Sequence, residues 1–197
     1  MKPPLILLLL AALLPVALRA APSPEEVANG HLIATKEANW AAYTASLHPE
    51  ALKRFKAMMI PAAEAAQAAA KATDRPADQP VGKSILERVF DNADIAKLKA
   101  AAPAEFFQIF ITNWSAKNRG FTQTMKSATI QMLGHVSEGD RQAHAIYRMT
   151  IPTGNARVTK VEVISLEKDG EVWKCQLSSE LDNLAGSLMR QLKAVKN

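Results

Sequence analysis

The chain has 197 residues, a formal net charge of +5 at pH 7 and a single cysteine, Cys175. One cysteine cannot form an internal disulfide, which excludes the class of small secreted domains that disulfides hold together. The lysines and arginines are interleaved with acidic residues, and no window contains five consecutive basic residues. A nucleic-acid-binding protein needs a concentrated basic patch, so we expect no nucleic-acid partner.

The first 20 residues have the three parts of a secretory signal peptide. Lys2 supplies the positive charge, residues 5–14 form an uninterrupted apolar run, and small residues follow at Ala20 and Ala21. The run is far shorter than the roughly 20 residues of a membrane-spanning helix. We therefore predict cleavage after Ala20 or Ala21, a periplasmic or secreted protein without a membrane span, and a single domain over residues 21–197.

The first predicted helix begins at residues 23–26, where Ser-Pro-Glu-Glu has the pattern of a capping box. We expect it to continue to about residue 47. Its large apolar residues have helical spacing and share one face: Ile33, Trp40, Tyr43 and Leu47. Trp40 and Tyr43 are candidate ligand-binding residues, and the alternative for both is a place in the core.

The next predicted helix begins at Pro49 and is expected to end at Pro61, because proline disrupts a helix interior. The alanine-rich segment 62–72 has high helix propensity but little apolar bulk. It is expected to form a weakly anchored surface or lid-like helix. Residues 73–83 contain two prolines and a glycine without periodicity, and this pattern predicts a loop.

Three shorter helices are predicted before the sheet. Ser84 is the expected cap of the first, and Asp91 or Asn92 that of the second. Pro103 opens the third, which we expect to end at Gly120. Its aromatic residues form the largest apolar ridge of the helical layer: Phe106, Phe107, Phe110 and Trp114. The last two are candidate ligand-binding residues.

From about Lys126 the apolar period changes from helical to alternating, over four segments separated by turns at 139–140, 152–155 and 169–170. A final amphipathic helix is predicted over residues 180–193. The predicted fold class is α+β, with N-terminal helices packed on a C-terminal four-stranded antiparallel meander sheet, followed by a final helix.

The first hairpin predicts a pair of histidines. If residues 139–140 (Gly-Asp) form a two-residue loop, Glu138 pairs with Arg141, and the same register places His135 directly opposite His144. A shift of one residue would move every side chain of the strand to the other face. The register also pairs apolar residues on the inward face, such as Val136 with Ala143 and Met132 with Tyr147, which supports it.

The predicted histidine pair suggests a binding surface. On the same face Gln131 is expected opposite Arg148, so His135, His144 and Arg148 are candidate ligand-binding residues. Two imidazoles provide half of a zinc site, and without further ligands at suitable spacing we expect no metal. A surface polar pair and a pH response, in which two neighbouring imidazolium charges repel, are the alternatives.

The order of these elements resembles the NTF2-like (cystatin-like α+β roll) superfamily. The residues that carry the resemblance are 169–174 (Asp-Gly-Glu-Val-Trp-Lys) on the last hairpin and residues 40–55 across the first helices. The resemblance implies a curved sheet wrapped around the first long helix, with a pocket at the open end. The superfamily includes small isomerases and dehydratases and many non-catalytic members that bind ligands or proteins. The long helical part, residues 24–118, and the helix after the sheet depart from the family pattern.

The chain lacks the motifs of serine hydrolases, zinc proteases, phosphate-binding loops and dithiol oxidoreductases. We therefore predict an exported, soluble, non-enzymatic binding protein with an apolar pocket or groove between sheet and helices. Its partner would be a small apolar ligand or another exported protein, and no cofactor is expected. One alternative is a cofactor-independent isomerase or lyase that uses His135 or His144 with Tyr147 or Tyr43. Another is a protein-interaction or assembly module that uses the last helix and the alanine-rich segment.

Overall fold

The computed structural model describes residues 21–71, 87, 89–91 and 94–194. Its elements confirm the predicted α+β class. The helices before the sheet are α1 (Pro24–Glu37), α2 (Trp40–Ser46), α3 (Pro49–Lys71), α4 (Ile95–Ala100), α5 (Pro103–Lys117) and α6 (Arg119–Ser127). The strands are β1 (Thr129–Glu138), β2 (Gln142–Thr153), β3 (Ala156–Asp169) and β4 (Val172–Cys175), and α7 (Ser179–Ala194) follows them.

The sheet is an antiparallel meander with the strand order β1-β2-β3-β4, as predicted. No helix in the described ranges is long and apolar enough to span a membrane. The predicted signal peptide, the predicted loop 73–83 and the predicted caps Ser84 and Asn92 lie outside the described residues.

The predicted first helix is two helices. Its start is as predicted, because Ser23 and Glu26 form a reciprocal capping box. The prediction that it continues to about residue 47 is wrong: α1 ends at Ala38, which has a left-handed backbone with φ 54°. The side chain of Asn39 then caps α2. The break changes which residues share a face, so Ile33, predicted to face the core, is 45% exposed.

Pro61 lies inside α3 and does not end it, which corrects the prediction for this helix. Pro61 is itself exposed, and the next turn is held by packing, since α3 contacts both α5 and α7. The alanines that follow it are buried, with exposures of at most 1%: Ala62, Ala63 and Ala66. Over residues 62–68 the alanine-rich segment therefore contributes one face to the core rather than forming a weakly anchored surface helix, because small side chains allow neighbouring helices to approach closely.

The predicted ends of the shorter helices need two corrections. Asp94, rather than Asp91 or Asn92, caps α4, and its side chain accepts a hydrogen bond from the Ala96 N–H at 2.9 Å. The helix that Pro103 opens ends at Asn118, and Gly120 lies inside a further helix, α6. Sequence analysis missed α6 because it is short and mostly polar.

The core centres on aromatic rings of α3 and α5. Phe106, Phe107 and Phe110 are fully buried, as the aromatic ridge predicted. They surround Phe55 of α3, with ring centroids 6.3, 5.1 and 4.9 Å away in that order. Leu188 of α7 is buried in the same cluster, so the final helix is packed on the domain.

The register of the first hairpin is right far from the turn and wrong near it. Gln131 lies opposite Arg148, as predicted, but the register shifts between Met132 and Gly134. A β-bulge there adds one residue to β1. The loop to β2 consequently has three residues, 139–141, and each β1 residue between bulge and turn faces the opposite side of the sheet from the prediction. Val136, expected on the apolar face, is 54% exposed.

Gly134 is expected to be needed for the bulge. Its φ is +137°, a conformation that L side chains rarely adopt, although an added Cβ would meet only Glu25 Oε1, at 3.7 Å. Gly134→Ala should therefore lower the free energy of unfolding by about 1–3 kcal/mol through backbone strain. Gly30→Ala, in the open middle of α1, should raise it by about 0.5–1 kcal/mol. Urea unfolding measures both, and a Gly134→Ala protein as stable as the wild type would contradict the expectation.

The alanine-rich end of α3 can be tested with two identical substitutions. Ala66 is 0% exposed, and Ala68 on the same helix is exposed. Ala66→Leu should destabilise the fold by about 1–3 kcal/mol, because the core has no room for the larger side chain. Ala68→Leu should change stability by less than about 0.5 kcal/mol. Equal thermal stability of the two variants would contradict the burial of this part of α3.

Candidate ligand-binding site

A cavity of about 1000 Å³ lies between the inner face of the sheet and the helices. Helices α1, α2, α5 and α6 and strands β2 and β3 line it, and the start of α7 completes its wall. More than half of the lining residues are aromatic or aliphatic, among them Trp40, Trp114, Phe121, Met125, Met149 and Leu184. The rest of the wall is polar, and it includes His31, two tyrosines and three carboxylates.

His31 of α1 is held in one orientation inside the cavity wall. Its Nδ1 lies 2.7 Å from Ser46 Oγ. The Ser46 hydroxyl donates its own proton to the Tyr43 carbonyl at 2.6 Å, so it must accept from His31. The His31 proton is therefore on Nδ1, and Nε2 is an acceptor with no hydrogen-bond partner in the described part of the chain. Burial lowers the pKa of His31 from 6.5 to about 4, so the ring is neutral at pH 7.

Tyr43 of α2 is packed between three aromatic rings. Its ring centroid is 4.3 Å from that of His31, 5.8 Å from that of Trp40 and 6.0 Å from that of Phe107. The side chain is only 8% exposed, and burial raises the pKa of its phenol. Within the described ranges the hydroxyl has no hydrogen-bond partner, so it is a neutral donor and acceptor at the cavity wall.

A second phenol belongs to the sheet. Tyr147 of β2 pairs across the strands with Glu162 of β3, and its hydroxyl donates to Glu162 Oε2 at 2.9 Å. Burial raises the pKa of Tyr147, and the hydrogen bond to Glu162 and the nearby charges of Glu162 and Glu180 raise it further. The phenol therefore stays protonated and fixes one oxygen of the Glu162 carboxylate at the cavity.

Three carboxylates belong to the cavity wall. Glu162, Glu180 and Asp182 all line it, and we call these three residues the acidic edge. The pKa of Glu180 is lowered by a hydrogen bond from its own backbone N–H, by the hydroxyls of Ser178 and Ser179 and by the charge of Lys160. Asp182 Oδ1 is withdrawn from solvent and has no hydrogen-bond partner among the described residues.

The structure brings together three of the seven predicted site residues. Trp40, Tyr43 and Trp114 line the cavity. Phe110 is fully buried in the aromatic core and does not reach it. Arg148 is on the outer face of the sheet, where its Nη1 donates to Gln131 Oε1 at 3.0 Å.

The predicted histidine pair does not form. Because of the bulge, His135 pairs with Ala145, and His144 pairs with Val136. The two rings lie on opposite faces of the sheet and outside the cavity. Among the described residues no group of three or more histidine, cysteine, aspartate or glutamate side chains could hold a metal ion.

Each of these histidines has a local partner instead. His135 Nδ1 lies 3.2 Å from Glu25 Oε1 of α1. His144 Nε2 lies 3.5 Å from Glu138 Oε2, and its Nδ1 lies 3.1 Å from Ser165 Oγ. Both rings are about one-third exposed, so these contacts are surface interactions.

Neither His31 nor the acidic edge was predicted from the sequence. His31 is three residues after Ala28 and four before Thr35, so helical spacing places the three on one face. Small and polar side chains give no hydrophobic periodicity, however, so the pattern does not identify this face as buried. Glu162 is on the same face of β3 as Ile164, but a single acid in an alternating strand usually faces solvent.

Comparisons of this chain with protein-family models, with curated proteins and with solved structures find no match. The resemblance to the NTF2-like superfamily therefore stays a prediction, and the site is interpreted from its own geometry.

The buried His31 should make stability depend on pH. Its folded pKa of about 4 lies below the ordinary 6.5, so the unfolded chain binds more protons between these values. The free energy of unfolding should fall as the pH is lowered from about 6.5 to about 4, by up to about 3 kcal/mol. His31→Asn, which removes the titration, should flatten this part of the profile. Urea unfolding across the pH range measures it, and an NMR titration midpoint of the His31 ring above pH 6 would contradict it.

Proposed function

We propose that the protein binds an apolar small molecule in the cavity between sheet and helices and that it does so without catalysis. The observation that carries the proposal is the cavity itself. Its volume of about 1000 Å³ lies at the upper end of the range for small-molecule sites, and such sites combine apolar walls with a few placed polar groups. The aromatic walls and the polar groups His31, Tyr43 and Tyr147 match this description.

We also propose that binding takes place after export. The support is the three-part pattern of residues 1–20. An NTF2-like fold is proposed on the order of the elements and on the placement of α1 against the sheet, next to the cavity. Both proposals are independent of the ligand.

The polar groups suit recognition better than proton transfer. A general base works best when its pKa is near the working pH, and the pKa of His31 is about 4. The phenols of Tyr43 and Tyr147 have raised pKa values, so they stay neutral. Fixed, neutral donors and acceptors can orient a ligand without exchanging protons with it.

Catalysis by an isomerase or lyase is the second candidate, and one observation favours it. The free Nε2 of His31 faces a cavity that also holds two phenols, which is the kind of acid–base set such enzymes assemble. The set differs from the predicted one, since His135 and His144 lie outside the cavity. Release of an unchanged ligand from the purified protein would favour binding, and release of a converted one would favour catalysis.

The proposal can be tested with a tryptophan that fills the cavity. Leu184 of α7 lines the cavity, whereas Asn183 beside it is exposed. Leu184→Trp should weaken the binding of the neutral apolar dye Nile red at least about tenfold, because the larger ring occupies the space of the ligand. Asn183→Trp should leave the affinity within about twofold. Dye fluorescence measures both, and circular dichroism checks that each variant is folded.

The proposal fails if Nile red does not bind the wild type, or if it binds both tryptophan variants equally well. Native mass spectrometry of the protein purified from its own compartment supplies an independent result. An extra mass that leaves on mild denaturation would identify the natural ligand, and its chemistry could be compared with the cavity wall.

A further inference from the structure

We propose that the ligand carries a positive charge: an apolar molecule with a protonated amine or quaternary ammonium group. Its apolar part would occupy the aromatic cavity, and its cationic group would face the acidic edge, Glu162, Glu180 and Asp182. This inference rests on the proposed binding function and names the chemical class of the ligand.

The charge of the cavity wall is opposite to that of the chain. The whole chain has a net charge of +5, yet the described residues that line the cavity include three carboxylates and no lysine or arginine. His31 adds no charge, because burial keeps it neutral. An anionic ligand would therefore meet like charges on entering, and a cationic ligand would be attracted.

Lys160 offsets part of this negative charge. It lies near enough to Glu180 to lower the pKa of that carboxyl, although the two form no ion pair within 4.0 Å. Glu162 and Asp182 have no ion-pair partner among the described residues. Both are half-buried, so their charges are less screened by solvent than those of exposed acids.

Unpartnered polar atoms in the cavity wall provide a second, independent observation. His31 and Tyr43 are each only 8% exposed. His31 Nε2 and the Tyr43 hydroxyl have no hydrogen-bond partner in the described part of the chain, and both can accept a hydrogen bond. Asp182 Oδ1 is a third unpartnered acceptor. Buried polar atoms are normally paired, and an N–H donor in the cavity would complement the first two, whereas Asp182 Oδ1 is withdrawn from solvent.

The aromatic walls also suit a cation. Trp40, Trp114 and Phe121 line the cavity, and the rings of the last two meet edge to face with centroids 5.0 Å apart. Ammonium groups are attracted to the faces of aromatic rings, most strongly to tryptophan. The same rings that accommodate an apolar body can therefore also stabilise a cationic group beside the acidic edge.

Three probes of equal chain length separate charge from apolarity: decylamine, decanol and decanoate. Their affinities for the purified protein at pH 7 are measured by displacement of Nile red, below the critical micelle concentrations of the amine and the carboxylate and below the solubility limit of the alcohol. We expect decylamine to bind about tenfold more tightly than decanol, and decanoate to bind most weakly. Raising the salt concentration should reduce the advantage of the amine.

A double variant assigns the preference to the acidic edge. Glu162→Gln combined with Asp182→Asn should lower the affinity for decylamine about tenfold and leave that for decanol within about twofold. Glu105→Gln is the control, because Glu105 is exposed on α5 and does not line the cavity. It should change neither affinity. Thermal unfolding of each variant checks that the fold is intact.

The outcomes separate this inference from the binding function. If the amine and the alcohol bind equally, or if the double variant keeps the preference for the amine, the inference about charge is wrong and the binding function stands. If Nile red itself does not bind the protein and none of the three probes binds, both the inference about charge and the binding function are wrong. Tighter binding of decanoate would overturn the inference directly.

Discussion

The packing of α1 against the inner face of the sheet is the constraint on which the rest of the structure depends. Ala28 of α1 and Ala145 of β2 are both fully buried in the main core, and alanine side chains let a helix lie close to a strand. One turn further along α1, Leu32 packs instead with Tyr147 and Met149. Along α1, the residues that line the cavity therefore come one turn after the small residue that packs against the sheet.

The β-bulge in β1 belongs to the same constraint. Without it, His144 would face His135, as the uninterrupted register predicted. With it, His135 turns to the inner face, where its ring reaches Glu25 at the start of α1. A contact between exposed groups contributes little to stability. It does show, however, that the bulge orients the turn end of β1 toward α1. The β1 residues before the bulge, 129–132, keep their predicted partners on β2.

The sequence was informative where periodicity decides the structure. The alternation over β1 to β4 predicted the meander, and the aromatic ridge of α5 predicted the core around Phe110. It was less informative where one residue decides. Alanine rarely has a left-handed backbone, and proline rarely lies inside a helix. Tertiary packing overrides both preferences, at Ala38 and in α3.

The candidate site was predicted in part for the same reason. Trp40, Tyr43 and Trp114 are large apolar residues at helical spacing, and they were found from that spacing alone. The inward-facing histidine and carboxylates come from α1, β3 and α7, far apart in the chain, and only the fold brings them to one cavity. The predicted pair of His135 and His144 fails for a different reason, because the bulge shifts the register of β1 by one residue.

The polar atoms of the cavity wall limit what can bind there. In the empty cavity, water can bond to His31 Nε2 and the Tyr43 hydroxyl, whereas Asp182 Oδ1 is withdrawn from solvent. A ligand must displace that water, and a displaced hydrogen bond that the ligand does not replace costs affinity. A pure hydrocarbon would bury these two acceptors without a donor, at about 1–3 kcal/mol each. The apolar walls therefore favour an apolar body, while the acceptors between them favour a body that also carries a hydrogen-bond donor.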